Sequence, residues 1–210
     1  MGQVMRAMSY DRAANERNAV SCLTLGDTPL SWHRLDDGVM GGQSATDLHS
    51  SADSKCLHFS GQINTSGGGF CSVRARIEGG LPTHAKGLKI SFRGDGKTYK
   101  LLVSDGNLSS FGPSRRKPSW QADIPTEQGV DETKTIRLES LVPSFGGVPV
   151  TRTGHSPSTL LQPEDMKEIG FMLSLKLSDG TANPEETFGS GVFPFSLMVR
   201  SIEVIEETPS

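Results

Sequence analysis

Short segments in which apolar and polar residues alternate recur through most of this sequence, and they constrain its fold more than any other feature. A two-residue period places successive side chains on opposite faces of a β-strand, so that one face can be buried. Six segments show this pattern, at residues 57–63, 71–77, 88–92, 99–103, 169–177 and 193–199. No long amphipathic helix accompanies them. The pattern therefore predicts an all-β fold, either a sandwich or a barrel.

Turn residues separate the predicted strands. The chain has 24 Gly and 12 Pro, which suits many short strands joined by turns. Gly94-Asp95-Gly96-Lys97 lies between two alternating segments, so we expect residues 88–92 and 99–103 to pair as a hairpin. The apolar phase shifts between Val199 and Ile202, as a β-bulge would produce. Three residues of the fifth segment are expected to face the core: Phe171, Leu173 and Leu175.

The chain length of 210 residues favours one domain. Residues 1–25 are polar and are interpreted as a lead-in segment, and residues 26–207 as the β-sandwich domain. No apolar run approaches the roughly 18 residues that a membrane-spanning helix needs. The first twenty residues lack the apolar core of a secretory signal, which indicates an intracellular location.

Charge and cysteine content exclude several classes of protein. The 21 basic and 24 acidic residues give a net charge of −3, whereas a nucleic-acid-binding domain would show a basic surplus on one face. The short basic run Arg115–Lys117 lies among prolines and serines and is interpreted as a solvated loop. Three cysteines without a C-x-x-C pair argue against a disulfide framework and against a structural zinc site.

The densest motif is the stretch from Asp36 to Ser44, which contains two adjacent carboxylates and three glycines. Glycine permits positive φ and close approach of the backbone. The carboxylates could cap backbone N–H groups in a packed loop, or the loop could form a surface for a partner or ligand. At least one of Asp36 and Asp37 is expected to be held by backbone N–H groups or by an arginine, with Arg34, Arg74 and Arg93 as the candidates.

Catalytic patterns are missing from the sequence. Its five histidines are scattered, and it has neither H-E-x-x-H nor G-x-S-x-G. Gly96-Lys97-Thr98 ends like a phosphate-binding loop, but Ser91 stands where the first glycine belongs. We therefore expect no catalytic residues, no metal, no cofactor, and no binding of ATP or NADH. His58 is expected to be a structural histidine, and Trp32 and Trp120 to be core anchors.

Several motifs follow one another in an order that is specific as a set: Trp32, Asp36-Asp37-Gly38-Val39-Met40-Gly41-Gly42-Gln43-Ser44, Gly68-Gly69-Phe70, Arg93-Gly94-Asp95-Gly96-Lys97, Pro143-Ser144-Phe145 and Ile169-Gly170-Phe171. Together they resemble the complex I intermediate-associated protein 30 family over about residues 30–205. The resemblance implies a galactose-binding-like jelly-roll β-sandwich in a single domain. It also implies an assembly chaperone for the NADH:ubiquinone oxidoreductase of mitochondria, with no catalytic residue set.

The resemblance and the residues together favour a non-catalytic assembly factor that binds protein subunits of respiratory complex I or a related membrane complex. Its partner-binding or ligand-binding residues are expected among Trp32, Asp36, Asp37, Gly38, Met40, Gly41, Gly42, Arg93 and Asp95. The alternative is a carbohydrate-binding module, because the implied fold often binds sugars. A sugar site usually needs an aromatic platform beside polar groups, and the chain has only two Trp and two Tyr.

Overall fold

A computed structural model describes residues 19–50, 55–106, 118–153 and 161–206. Two antiparallel sheets pack face to face. The strands are β1 (Val20–Leu25), β2 (Thr28–Arg34), β3 (Ala45–Ser50), β4 (Leu57–Asn64), β5 (Phe70–Arg76), β6 (Ala85–Arg93), β7 (Thr98–Ser104), β8 (Ser119–Pro125), β9 (Asp131–Arg137), β10 (Val142–Phe145), β11 (Val148–Pro149), β12 (Glu168–Ser174) and β13 (Val192–Glu206).

The two sheets divide these strands unequally. Sheet A has the order β1-β2-β5-β12-β7-β8-β10-β11, and sheet B has the order β3-β4-β13-β6-β9. The helical elements are short: α1 (Val150–Thr153), α2 (Glu185–Phe188) and the 3-10 turns Asp37–Met40, Leu138–Ser140 and Pro163–Asp165. Strands that are consecutive in sequence often lie in different sheets. The chain thus has the all-β jelly-roll sandwich that the sequence predicted.

The core lies between the sheets and is built by the alternating residues. The apolar positions of the segments at 57–63, 71–77, 88–92 and 99–103 are all buried. Phe59, Tyr99 and Phe195 form an aromatic cluster in which the Phe59 and Phe195 rings are 4.8 Å apart and meet edge to face. Trp32 stacks on Phe171 with 5.7 Å between ring centroids. Pairs of this kind add about 0.5–1.5 kcal/mol beyond the burial of their area.

The predicted hairpin between residues 88–92 and 99–103 is wrong. β6 belongs to sheet B, between β13 and β9, whereas β7 belongs to sheet A, between β12 and β8. The two apolar faces therefore oppose each other across the core instead of lying side by side. Gly94–Lys97 carries the chain from one sheet to the other. Alternation fixes which face of a strand is buried, but it does not determine the strand's neighbours.

Leu175 also differs from its predicted position. Phe171 and Leu173 are fully buried, but β12 ends at Ser174, and the Leu175 side chain is 41% exposed. The bulge near the end of the chain is confirmed, because Val199 pairs with Phe92 while Ser201 pairs with Ser91. The extra residue changes which side chains of β13 face the core.

The sandwich begins earlier than residue 26. β1 starts at Val20 and pairs with β2, so the final residues of the predicted lead-in segment form an edge strand of sheet A. Residues 1–18 and the basic run Arg115–Lys117 lie outside the described residues. All three cysteines are free: Cys22 and Cys71 are buried, and Cys56 is half-buried.

Candidate functional site

Five loops cross between the sheets at one end of the sandwich, which we call the loop end: residues 35–44, 65–69, 94–97, 126–130 and 175–191. Backbone hydrogen bonds tie these loops together, from Leu175 to Gly69, from Thr65 to Gly191 and from Gly129 to Gly94. Lys97 Nζ also donates to the Thr187 carbonyl at 3.3 Å. The loops therefore form one connected layer over this end of the core.

Asp37 joins the first two loops of this layer. Its carboxylate accepts hydrogen bonds from the Ser44 backbone N–H at 2.9 Å and from Ser44 Oγ at 2.6 Å. It also accepts from the backbone N–H groups of Gly69, at 2.6 Å, and Phe70, at 3.3 Å. The side chain is buried. Through these four donors, Asp37 links the Asp36–Ser44 loop to the loop that leads into β5.

Two glycines make room for this carboxylate. A Cβ atom at Gly42 or at Gly68 would collide with the Asp37 side chain. Burial acts to raise the pKa of Asp37, but the hydrogen bonds from Ser44, Gly69 and Phe70 outweigh it, and the pKa lies below the ordinary value of 3.8. Gly42 and Gly68 thus leave the space that the charged, hydrogen-bonded side chain of Asp37 occupies.

Asp36 has a different environment from its neighbour. It accepts from the Thr46 backbone N–H at 2.9 Å and from the Thr46 hydroxyl. Burial dominates here and raises its pKa, although the hydrogen bonds oppose this shift. The expectation that at least one of the two carboxylates is held by backbone N–H groups is confirmed for both. Among the arginines proposed as partners, Arg34 donates to the Thr46 carbonyl at 3.4 Å, and Arg74 pairs with Glu168.

Trp32 is a core anchor, as the sequence predicted. Its side chain is completely buried, and its indole Nε1 donates to the Cys22 carbonyl at 2.9 Å. Asp95, by contrast, lies in the crossing loop between β6 and β7. Its carboxylate accepts from the Tyr99 hydroxyl and from the Ser196 backbone N–H, both at 2.9 Å. Trp32 thus connects β2 to β1, and Asp95 connects its loop to β7 and β13.

The remaining predicted site residues also lie at this end. Gly38 and Gly41 are exposed and Gly42 is half-buried, and Arg93 is exposed at the last position of β6. Met40 belongs to the 3-10 turn Asp37–Met40, but its side chain lies outside the described part of the chain. Except for Trp32, the predicted residues are therefore gathered on crossing loops and strand ends.

Sequence reasoning missed the apolar side chains at the loop end. Val130, Leu175 and Val192 are exposed there, Val192 by 62%. A Cβ atom at Gly69 would strike the Leu175 side chain, so Leu175 lies directly on the loop that Asp37 holds. Val130 and Val192 fall next to glycines in sequence, and the flanking turns indicate loops without showing that these valines are exposed.

A second feature that the sequence did not predict is a layer of buried charges on the outer face of sheet A. Arg74 Nη1 lies 3.7 Å from Glu168 Oε1, and both side chains are buried. Lys100 is only 2% exposed. Asp123 accepts from both the backbone N–H and the hydroxyl of Ser178, at 2.8 and 2.7 Å. Burial lowers the pKa of Lys100 to about 8, although Asp123 opposes the shift.

A cavity of about 1100 Å³ opens at the opposite end of the sandwich, beside β1, β2 and the second half of β13. None of the predicted site residues lines it. Among the described residues, no group of three or more His, Cys, Asp or Glu side chains is placed to hold a metal ion. Likewise, none of the described helices is long and apolar enough to cross a membrane.

Solved structures with the same fold include carbohydrate-binding modules. The family 11 module of a cellulosomal cellulase of Clostridium thermocellum has a TM-score of 0.56 and 14% identity, covering 93% of this chain and 94% of that one. The family 11 module from the same organism in complex with a β-1,3-1,4-mixed-linked tetrasaccharide has a TM-score of 0.58 and 15% identity, covering 91% and 98%. At these identities the similarity shows the fold alone.

A search of curated protein sequences finds no significant match. The family model for complex I intermediate-associated protein 30 matches residues 23–199, which is most of the chain and includes the motif from Asp36 to Ser44. Since the match extends from β1 into β13, it covers both sheets and every loop of the loop end. The chain therefore belongs to the complex I intermediate-associated protein 30 family.

Proposed function

We propose that this protein is a non-catalytic assembly factor that binds protein subunits of respiratory complex I or a related membrane complex. The observation that carries the proposal is the family match over residues 23–199. The described residues agree with a binding role, because the two aspartates of the most conspicuous motif are engaged in hydrogen bonds within the fold. A binding protein needs a stable surface, and these bonds stabilise one.

The loop end is the surface that suits a protein partner best. Protein interfaces combine apolar contacts at their centre with a polar rim. Leu175 and Val192 offer exposed apolar contacts, and Arg93 and the exposed glycines of the Asp36–Ser44 loop lie on the same end. Because backbone hydrogen bonds connect the loops, little ordering entropy is lost when a partner binds.

Affinity purification from the native organism tests this proposal. We expect complex I subunits to co-purify with the wild-type protein and to be lost with the double variant Leu175→Ser, Val192→Ser. The matched control is Val148→Ser, because Val148 is 39% exposed but lies on β11, at the edge of sheet A. If complex I subunits co-purify equally with both variants, Leu175 and Val192 do not belong to the binding surface. Their absence from the wild-type sample would contradict the proposed function itself.

If complex I is the client, the protein acts in mitochondria. The family name ties the chain to complex I, and a factor that assembles the mitochondrial enzyme must meet its subunits in that organelle. Fractionation of native cells, with detection of the endogenous protein, checks this location. Recovery of the protein in a different compartment from complex I would contradict it.

Carbohydrate binding is the competing function, and the fold suggests it. The neighbouring structures include a module in complex with a tetrasaccharide. The outer face of sheet A has polar side chains, but Glu168 and Asp123 already accept hydrogen bonds from Ser104 and Ser178. A glycan array separates the two functions: saturable binding to one glycan class would favour the carbohydrate module, and no binding would favour the assembly factor.

A further inference from the structure

Three side chains on sheet B lie in one row across adjacent strands. His49 of β3 pairs directly with His58 of β4, and His58 pairs directly with Met198 of β13. Directly opposed residues of antiparallel strands have Cβ atoms about 4.5–5.5 Å apart. His58 therefore has one possible metal-ligating side chain on each side.

All three residues project from the outer face of the sheet. Their neighbours in the strands, Leu57 and Phe59 on β4 and Leu197 and Val199 on β13, are buried in the core. His49 is exposed, and His58 and Met198 are half-buried. Successive residues of a strand point to opposite faces, so the two imidazoles and the thioether share the solvent side.

Neither imidazole makes a hydrogen bond with any described residue, although His58 was expected to be a structural histidine. In this respect the pair differs from His84, whose Nε2 lies 3.0 Å from Glu206 Oε2. A structural histidine normally uses its ring nitrogens within the fold. None of the described residues occupies the ring nitrogens of His49 and His58 by a hydrogen bond.

The ligand preferences of metal ions indicate which ion His49, His58 and Met198 can bind. Metal–imidazole bonds of about 2 Å let side chains on neighbouring strands share one ion. No third His, Cys, Asp or Glu completes a ligand set among the described residues, so the next ligand at hand is the thioether of Met198. Zinc prefers four nitrogen, sulfur or carboxylate ligands, whereas thioether sulfur together with imidazole favours Cu(I).

We propose that His49, His58 and Met198 form a surface site for Cu(I) on the outer face of sheet B. His58 is the second residue of β4, and Met198 pairs directly with Arg93 at the last position of β6, so the site lies beside the loop end and shares no residue with it. The two imidazoles supply most of the affinity, and the thioether supplies the preference for Cu(I) over divalent ions.

Competition with a chromophoric Cu(I) chelator under anaerobic conditions measures this binding in the full chain. We expect one equivalent of Cu(I) more than the His49→Asn, His58→Asn double variant binds, since that variant keeps the free thiols. His58→Asn alone should weaken the affinity by about 10- to 100-fold, because loss of a ligand costs at least as much as loss of a supporting group. Met198→Leu should weaken Cu(I) binding about tenfold and leave Zn(II) binding nearly unchanged. The control is His84→Asn, which should retain the wild-type affinity.

Any of three results would contradict the site. In the first, wild type binds no more Cu(I) than the His49→Asn, His58→Asn double variant. In the others, His84→Asn loses as much Cu(I) affinity as His58→Asn, or Met198→Leu keeps the wild-type Cu(I) affinity. The substitutions lie on a solvent-facing surface, and circular dichroism verifies that each variant is folded. X-ray absorption of the copper complex supplies a second readout: two nitrogen ligands and one sulfur support the site, and nitrogen and oxygen ligands alone contradict it.

Discussion

The outer faces of sheets A and B follow the same alternating pattern but meet opposite environments. On sheet A the outward residues Ser72, Arg74 and Lys100 are buried. On sheet B the outward residues Ser91 and Lys89 are partly open to solvent, and Lys89 forms an exposed pair with Glu203 at 3.2 Å. The same residue types therefore have different energetic roles, because the cost of desolvation applies only on sheet A.

The largest expected effect comes from breaking the buried ion pair. Arg74→Met keeps the aliphatic stem, which covers Gly170, but leaves the buried Glu168 without its cation. Removal of one partner of a buried pair costs about 3–5 kcal/mol. Lys89→Met, on sheet B, should cost less than about 1 kcal/mol, as exposed pairs do. Urea unfolding of both variants measures the difference, and equal losses would show that the two faces are not energetically distinct.

Lys100 provides the next test, through pH. Its pKa falls to about 8 in the folded protein, from an ordinary 10.5. Between these values the unfolded chain binds more protons, so the contribution of Lys100 to stability rises with pH. Lys100→Met should therefore be more stable than wild type at pH 7, and the gap should narrow by roughly 2 kcal/mol by pH 10.

The comparison with Lys89→Met isolates this effect from the other groups that titrate at alkaline pH. Burial raises the pKa of Cys22 to about 11, and Asp123, Lys176 and Arg74 contribute to the field at Lys100. Cys22 is not coupled to Lys100, so its titration is common to both variants. A constant gap between wild type and Lys100→Met from pH 7 to pH 10 would show that the ammonium is solvated.

Asp36 and Asp37, the adjacent carboxylates of the loop end, also differ in how their surroundings affect the charged form. The lowered pKa of Asp37 means that its stabilisation is present above pH 3.8 and is lost as the pH falls below that value. Asp36 has a raised pKa, so the folded state loses stability as that group ionises with rising pH. Asp37→Asn should cost about 1–3 kcal/mol at pH 7, with a smaller loss at pH 3.

Asp36→Asn is the matched variant for that experiment. Because ionised Asp36 is partly desolvated, its replacement should change stability little at pH 7. Unfolding curves at pH 7 and pH 3 distinguish the two residues. Similar pH profiles for both variants would mean that the donors around Asp37 do not set its charge.

The sequence predicts the inward half of this molecule better than the outward half. Alternation placed Phe171 and Leu173 in the core correctly, because a strand face that must be buried leaves a direct signature. The glycines around Asp37 were recognisable as a packed motif. Gly68-Gly69-Phe70 was also recognisable as a motif, but its contact with Asp37 was not, because the two motifs are about thirty residues apart in sequence and meet only through the fold.

Strand order accounts for the wrong hairpin. The turn Gly94–Lys97 has hairpin composition, yet β6 pairs with β13 and β9, and those choices depend on long-range packing. The buried charges of sheet A and the row of His49, His58 and Met198 have the same origin. Each set comes from three or more distant segments, and only the register of neighbouring strands brings its members together.

The smallest expected effect compares one hydroxyl on each face. Ser72 Oγ is buried, donates to the Leu35 carbonyl at 2.8 Å and accepts from Arg74 Nε at 3.4 Å. Ser91 Oγ shares a 2.9 Å hydrogen bond with Thr133 on the solvent side of sheet B. Ser72→Ala should cost about 1–2 kcal/mol, since it removes a buried hydroxyl and leaves the Leu35 carbonyl without this donor.

Ser91→Ala should change stability by less than about 0.5 kcal/mol, because water replaces the lost partner. Both substitutions remove the same oxygen atom from a strand residue, so differences in side-chain volume and strand propensity cancel. Thermal and urea unfolding of the pair give the comparison directly. If Ser91→Ala costs as much stability as Ser72→Ala, hydrogen bonds contribute equally on the outer faces of the two sheets. The two faces then differ only in the energetics of their charged residues.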